Sequence, residues 1–282
     1  LRIRSKSKER IDRLLVSKGL VASRVQAQAF VLEGRVLVNG DVVTKAGESV
    51  DPDSSISVSL PEKQWVSRGA HKLIRALDEF SVDPTGFVCA DIGASTGGFT
   101  EVLLSRGAKK VYAIDVGYGQ LAWSLRTNPN VVVMERTNAR TLIPDAFEAA
   151  LDLVTIDVSF ISLRIILPVV EKLLSVDGRV IALVKPQFEA GRAAIGKGGV
   201  VRDPSVHLSV LERTAEFLST NTSLTLNGCT FSPLRGPSGN IEFLFDMLRI
   251  PHLSTEPTDF NSIVEEAHST LSPGGDREAQ NS

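Results

Sequence analysis

Apolar and polar positions along the chain change period twice, and each change marks a different kind of element. Near the start, Ile11, Leu14 and Leu15 recur at helical spacing and Gly19 offers a stop. Ser23 with Gln26 three residues later makes a capping box. The helix it opens runs through Ala27, Phe30 and Val31 and ends at Gly34. Two β-branched runs, 35–38 and 41–43, then flank Asn39-Gly40. Both turn residues tolerate positive φ, so the pattern predicts a hairpin. Residues 56–60 alternate like one more strand. Helix, helix, hairpin and strand fit a small α+β unit over 1–60, with a marginal but feasible core.

Residues 61–67 read as a linker. Beyond them, apolar runs predict strands at 87–92, 110–115, 130–135, 151–157 and 179–185. Helical stretches lie between, at 96–106, up to 174 and at 205–218. Near-continuous apolar strands separated by amphipathic helices predict an α/β domain over 68–250, its parallel sheet covered on both faces. Strands at 224–231 and 241–249 finish the series around a short Pro/Gly-rich turn, so these two are antiparallel to each other. Residues 251–282 turn polar and acidic and are expected to be a partly disordered tail.

Composition narrows the class. The chain has 282 residues, 43% hydrophobic and 23% charged, which excludes a largely disordered or fibrous protein. No apolar run approaches the roughly 18–20 residues that cross a bilayer. The basic start lacks an apolar core, so no secretory signal is expected, and a soluble cytoplasmic protein is the plain expectation. Two cysteines make no disulfide framework. Net charge is −2, but the first 24 residues hold eight basic and two acidic side chains. A basic module on a near-neutral body fits a polyanionic partner, although a solvated surface face would look the same.

The strongest chemical signal is Asp91-Ile92-Gly93-Ala94-Ser95-Thr96-Gly97-Gly98-Phe99-Thr100, which closes the first body strand and opens the next helix. Glycines there let backbone approach a ligand, and a helix N-terminus offers free N–H groups. The spacing is neither the dinucleotide fingerprint nor a P-loop. The following strand ends in Asp115, an acid placed to accept hydrogen bonds from ribose hydroxyls. Together these favour an adenosine-containing cofactor without a pyrophosphate. Four charged residues also converge on the ligand edge. Asp157 and Lys185 end neighbouring strands, Glu242 begins the antiparallel last strand, and Lys72 sits on the helix before the first. Such a set can activate a poor nucleophile such as a ribose hydroxyl and align it for in-line transfer. Unrelated strand-end ion pairs are the alternative.

The loop and strand order resemble the S-adenosylmethionine-dependent methyltransferase fold. That resemblance implies Asp91, Gly93 and Gly97 near the methionine part, with Ser95, Thr96, Gly98, Phe99, Thr100 and Asp157 around the same cofactor. It also implies Asp115 on the ribose and Asn138 near the adenine. The order Lys72, Asp157, Lys185, Glu242 matches the K-D-K-E tetrad of the FtsJ-like ribose 2′-O-methyltransferases. VSRGAHKL (66–73), DIGASTGGFT (91–100), DVSFISL (157–163), LVKPQFE (183–189) and SPLRGPSGNIEF (232–243) resemble the TlyA, or hemolysin A-like, family. Residues 10–40 are similar to an S4 RNA-binding domain.

The resemblance therefore implies a Rossmann-like methyltransferase sheet, mostly parallel with its last strand antiparallel, behind a small α+β S4-type domain. It implies S-adenosyl-L-methionine as cofactor, ribosomal RNA or ribosomal subunits as partner, and methyl transfer to cytidine ribose. Arg10, Arg13, Lys18, Arg24 and Arg35 become candidate RNA contacts in the S4-like unit. Arg68 and Phe188 are candidates in the body, Phe188 as a base-stacking ring. Cys89 and Cys229 read as buried small hydrophobes. The four histidines are scattered without metal-ligand spacing, so no metal is expected. A non-catalytic RNA-binding factor and, less favoured, a membrane-active hemolysin are the competing readings.

Overall fold

The Asn39-Gly40 pair turns as its chemistry predicts. Both residues have positive φ, 54° and 92°. In the computed structural model, which describes residues 8–59, 64–191, 194–196, 198–236, 238–249 and 258–272, the chain forms two units, Leu1–Gln64 and Trp65–Ser282. The first contains β1 (Glu9–Arg10), α1 (Ile11–Ser17), α2 (Arg24–Leu32), β2 (Val36–Val38), β3 (Asp41–Val42), β4 (Ser49–Val50) and β5 (Ile56–Val58). Ser23 caps α2, its hydroxyl accepting from Gln26 N–H at 3.2 Å. The Gln26 side chain reaches back to Ala22 N–H, one residue beyond the expected partner. β3, β2 and β5 form an antiparallel sheet, and β1 pairs β4. Ile11, Leu14, Leu15, Ala27, Phe30 and Val31 from the two helices fill the core. Of the expected linker, residues 61–63 lie outside the described residues.

The second unit runs α3 (Ala70–Glu79), β6 (Val88–Ile92), α4 (Gly98–Ser105), β7 (Lys110–Ile114), α5 (Trp123–Arg126), β8 (Val131–Met134), β9 (Leu151–Ile156) and α6 (Leu163–Val170). It continues with β10 (Leu174–Val184), α7 (Pro186–Glu189), α8 (Pro204–Asn221), β11 (Thr225–Phe231), β12 (Phe243–Leu248) and α9 (Phe260–Thr270). Alternate strand residues enter different cores. Cys89, Leu153, Ile181 and Leu183 pack with α3 and α4, whereas Ala90, Val154, Val180 and Ala182 pack with α6 and α8. With both faces covered, most strand positions are apolar, which explains the near-continuous hydrophobic runs.

The seven-stranded sheet has the order β11-β12-β10-β9-β6-β7-β8. β12 is antiparallel to both its neighbours, and the rest of the sheet is parallel. The chain leaves β6 toward β7 and β8 and later returns to β9 on the other side. The carboxyl ends of β6 and β9 therefore flank a topological switch point, where open α/β sheets bind ligands.

The acidic C-terminal stretch needs correction over part of its length. Phe260, Ile263, Val264 and Ala267 recur at helical spacing, and they pack α9 into the core shared with α8. Asp259 caps the helix by accepting from Ser262 N–H at 3.1 Å. The expected disorder of 251–257 and 273–282 falls outside the described residues. Among the described residues no helix is long and apolar enough to cross a membrane.

Candidate active site

The glycine-rich loop is built by its own hydrogen bonds. Asp91, at the end of β6, is buried and accepts from Thr100 N–H at 2.9 Å, Thr100 Oγ1 at 2.7 Å and Thr155 Oγ1 at 3.2 Å. It thereby caps the first turn of α4 from the neighbouring strand, a job that Gly97 cannot do without a side chain. Burial, opposed by the Thr100 bonds, pushes the Asp91 carboxyl up to about 7. Gly93 has φ 87°, and a Cβ there would lie 2.4 Å from the Asp157 carbonyl. Gly97 has φ 98°, and a Cβ there would strike Leu125. Both positions admit only glycine without a shift.

Asp115 holds this loop from the next strand. One carboxylate oxygen accepts from Ser95 N–H at 2.8 Å and the other from Gly117 N–H at 2.7 Å. Each oxygen keeps a second lone pair for another donor. Asn138 accepts from Arg140 N–H at 3.1 Å and caps a 3₁₀ turn at Ala139–Thr141. Neither Asp115 nor Asn138 lines the central cleft, whereas Asp91, Gly93, Ser95, Thr96, Gly98 and Phe99 do.

The tetrad meets in that cleft, which encloses about 1110 Å³. Lys72, Asp157, Lys185 and Glu242 all line it. Parallel pairing of β9 with β10 brings Asp157 and Lys185 to one edge, and Lys185 Nζ lies 2.5 Å from Asp157 Oδ1. Lys185 Nζ also donates to Ser159 Oγ at 3.1 Å. The register Val184↔Phe243 sets Glu242 at the same edge, and Lys72 Nζ donates to its Oε2 at 2.5 Å. Glu242 is only 1% exposed, yet its Oε1 has no hydrogen-bond partner. Gln187 Oε1, in the same cleft, is buried and unpartnered too. Two buried, unpartnered acceptors on residues that line one cavity are unusual.

Sequence reasoning missed the most exposed aromatic ring of the cleft. Phe160 is 92% exposed and held at φ 63°, a conformation that a bulky residue rarely adopts. It lies 5.1 Å from Phe188 in a tilted pair, and both rings line the cleft. Nothing in the chain's pattern separates Phe160 from a core aromatic, because exposure and φ are properties of the fold. Arg68 is exposed at the cleft wall. Arg192 and Lys197, in the glycine-rich stretch after Phe188, lie outside the described residues.

In the first unit the candidate RNA residues divide. Arg10 and Arg24 grip the fully buried Asp12, both at 2.9 Å, and Gln28 adds a bond at 3.1 Å. The Arg10 contact holds the Asp12 carboxyl well below the usual carboxylate range. Arg24, with Gln28, thus braces α2 against α1, Arg10 holds the same aspartate from the start of α1, and both arginine side chains stay about half exposed. Arg35 pairs with Glu33 at 2.5 Å, and Arg13 and Lys18 are exposed. Burial pushes both cysteine thiols far up, away from nucleophilic use. Two of the histidines that look scattered in sequence, His207 and His268, touch in the fold. Among the described residues, no group of three or more His, Cys, Asp or Glu is placed to hold a metal ion.

Known proteins share this layout. A family model described as FtsJ-like methyltransferase matches residues 65–247, and one described as S4 domain matches residues 9–56. A Bacillus subtilis protein, provisionally named rRNA methyltransferase YqxC, is 48% identical over 270 residues, 94% of this chain and 95% of that one. The 16S/23S rRNA (cytidine-2′-O)-methyltransferase TlyA of Mycobacterium tuberculosis is 50% identical over 238 residues, 83% of this chain and 87% of that one. A solved structure from Streptococcus thermophilus, provisionally described as a hemolysin, is 40% identical with a TM-score of 0.69 and covers 98% of this chain and 99% of its own. With both family models matched and these identities over most of the chain, the chain belongs to the TlyA family of S-adenosylmethionine-dependent methyltransferases, which join an S4 domain to an FtsJ-like domain.

Proposed function

We propose that this chain methylates the ribose 2′-hydroxyl of cytidine in ribosomal RNA, of the small subunit, the large subunit or both, in the cytoplasm. The observation that carries the reading is the convergence of Lys72, Asp157, Lys185 and Glu242 on one cleft beside the glycine-rich loop. The 50% identity to an enzyme named for that reaction supports the substrate class. Residues 1–60 would act as the RNA-binding domain, 61–67 as linker and 68–250 as the methyltransferase domain. Arg10, Arg13, Lys18, Arg24 and Arg35 would meet phosphates.

The cleft suits S-adenosylmethionine by its donors and acceptors. The first amides of α4, at Gly98 and Phe99, have no intrahelical acceptor and suit a carboxylate. Asp157 supplies negative charge for an ammonium, and Asp115, beside the cleft lining, can take ribose hydroxyls on its remaining lone pairs. Asn138 would stand toward the adenine. When bound, the cofactor supplies an electrophilic methyl on a sulfonium.

The residues of this chain do the rest. Lys185, in its neutral-amine form, would take the 2′-hydroxyl proton while the bound cofactor supplied the methyl group. Asp157 and Ser159 hold the Lys185 amine in place. Lys72 and Glu242 form another part of the cleft wall, the glutamate holding the lysine amine in place. Phe160, with Phe188 behind it, offers a face on which the target base stacks.

Mass mapping of ribose methylation in ribosomal RNA, with and without active protein, tests the assignment. Lys185→Ala is expected to bind cofactor normally and lose transfer about 10²–10⁴-fold. An Asp115→Ala chain is expected to lose cofactor binding. Full transfer by Lys185→Ala rejects the assigned role, and an unchanged methylation map rejects the substrate class.

A further inference from the structure

A ring of hydrogen bonds ties the C-terminal helix to the loop that ends in Glu242. Asn240, two residues before that glutamate, is 1% exposed. Its Oδ1 accepts from Val201 N–H at 2.9 Å, and its Nδ2 donates to the Gly199 carbonyl at 3.0 Å. The Val201 carbonyl lies 3.2 Å from His207 Nε2 on α8. His207 Nδ1 in turn lies 2.9 Å from His268 Nε2 on α9. One turn further along, the Leu271 carbonyl accepts from Arg235 Nε at 2.8 Å. Arg235 belongs to the same loop as Asn240 and also donates to the Gly239 carbonyl at 3.0 Å. The ring closes there.

The tautomers follow from the partners. A carbonyl can only accept, so His207 Nε2 carries its proton and donates to Val201. Burial, then the neighbouring His268, pushes His207 down to about 4, so near neutral pH its Nδ1 is an acceptor. His268 Nε2 must therefore be the donor. The ring has one consistent direction, and each buried member is satisfied.

The loop it holds covers Glu242 closely. Gly236 N–H donates to the Asn240 carbonyl at 2.9 Å, and Ser232 N–H donates to the Glu242 carbonyl at 2.8 Å. A Cβ on Gly236 would stand 2.4 Å from Glu242 Oε1, so the loop backbone passes directly over the carboxylate. Any slack in the loop is transmitted to that oxygen. The glycine-rich loop at 91–100 has no bond to the ring.

We infer that His268 is a positioning residue: through His207 and Val201 it holds Asn240 and the 232–242 loop, and so fixes Glu242 for methyl transfer. The inference rests on the reading of Glu242 as part of the transfer site. α9 is then a working part of the cleft wall, to which it contributes Leu271.

The test uses the full chain with His268→Ala and His268→Gln. Glutamine keeps an N–H donor at similar reach. His268→Ala is expected to speed hydrogen exchange at the Val201 amide and to lower kcat about tenfold, a fraction of the ~100-fold that a 1 Å misplacement can cost. The KM for S-adenosylmethionine should not move, and His268→Gln should restore both exchange and kcat. Unchanged Val201 exchange in His268→Ala overturns the ring. Fast exchange with an unaltered kcat, or no recovery in His268→Gln, overturns the positioning role. If His268→Ala fails to fold, Arg235→Ala cuts the other arm at an exposed residue, and unchanged Val201 exchange there overturns the ring equally. Failure of the underlying reading shows separately, as a Glu242→Gln chain that methylates normally.

Discussion

The Lys72–Glu242 pair allows structural and catalytic contributions to be measured apart. Both side chains are nearly excluded from solvent, 10% and 1% exposed, and the ammonium is the partner of Glu242 Oε2 at 2.5 Å. Glu242 Oε1 already lacks a partner. Lys72→Met therefore leaves a buried carboxylate with neither oxygen bonded. Breaking a buried pair from one side costs about 3–5 kcal/mol, because the remaining charge keeps its desolvation penalty. Replacing both ends removes that penalty. Lys72→Met with Glu242→Leu, similar in volume and apolar, is expected to lie within about 1 kcal/mol of the parent or above it. The cycle is read by urea unfolding with and without S-adenosylmethionine, alongside methyl transfer to ribosomal RNA. Lys72→Met should be strongly destabilised, the double variant should recover, and transfer should be lost in both. A double variant that regains stability and transfer together would show that the pair only supports the fold. A stable Lys72→Met chain would show that Glu242 reaches solvent, against its burial.

Other expectations follow from single distances and shifts. Gly93→Ala places a Cβ 2.4 Å from the Asp157 carbonyl at a positive φ, so it should cost about 1–3 kcal/mol in a thermal melt and weaken cofactor binding by calorimetry; wild-type affinity would contradict the close approach. Phe160→Ala should lower kcat/KM for RNA roughly 5–150-fold, the equivalent of about 1–3 kcal/mol of base stacking, with cofactor binding unchanged. Stability should also depend on pH through His207, whose folded value of about 4 lies below its ordinary 6.5. The unfolded chain takes up a proton in that window and the folded chain does not, so stability falls as pH drops from about 6.5 to about 4, by on the order of 3 kcal/mol, and no further below. Asp203 and His268 act on this ring, and Arg235 acts on His268. Asp91, raised to about 7, has the opposite sign and removes stability as pH rises through that value. Urea midpoints for the parent and His207→Gln cancel the Asp91 contribution, and equal pH slopes in the two would rule out the His207 effect.

The legible parts of this protein are those where one local rule dominates. Asn39-Gly40 has to turn because both residues accept positive φ, and the fold keeps that turn. The apolar strands announce a sheet buried on both faces. Asp157 and Lys185 could be paired in advance because adjacent parallel strands end at the same edge. Glu242 could be added because an antiparallel strand starts where its neighbours stop. The C-terminal helix was legible too, in the spacing of Phe260, Ile263, Val264 and Ala267, but its acidic flanks conceal it.

Other features were decided only in three dimensions. β12 inserts between β10 and β11, and no local pattern specifies a neighbour. Arg10 and Arg24 look like free cations in sequence, yet a buried aspartate occupies one side of each. Phe160 and Phe243 are both phenylalanines in apolar surroundings; one is exposed in the cleft and the other is fully buried. His207 and His268 are separated by two strands and meet at a hydrogen bond. Periodicity and turn chemistry are short-range, so the chain itself determined its elements, its loop and the edge on which its charges gather. Exposure, tautomer and ion-pair partner depend on which distant segments pack together, and packing free energy is a property of the whole core.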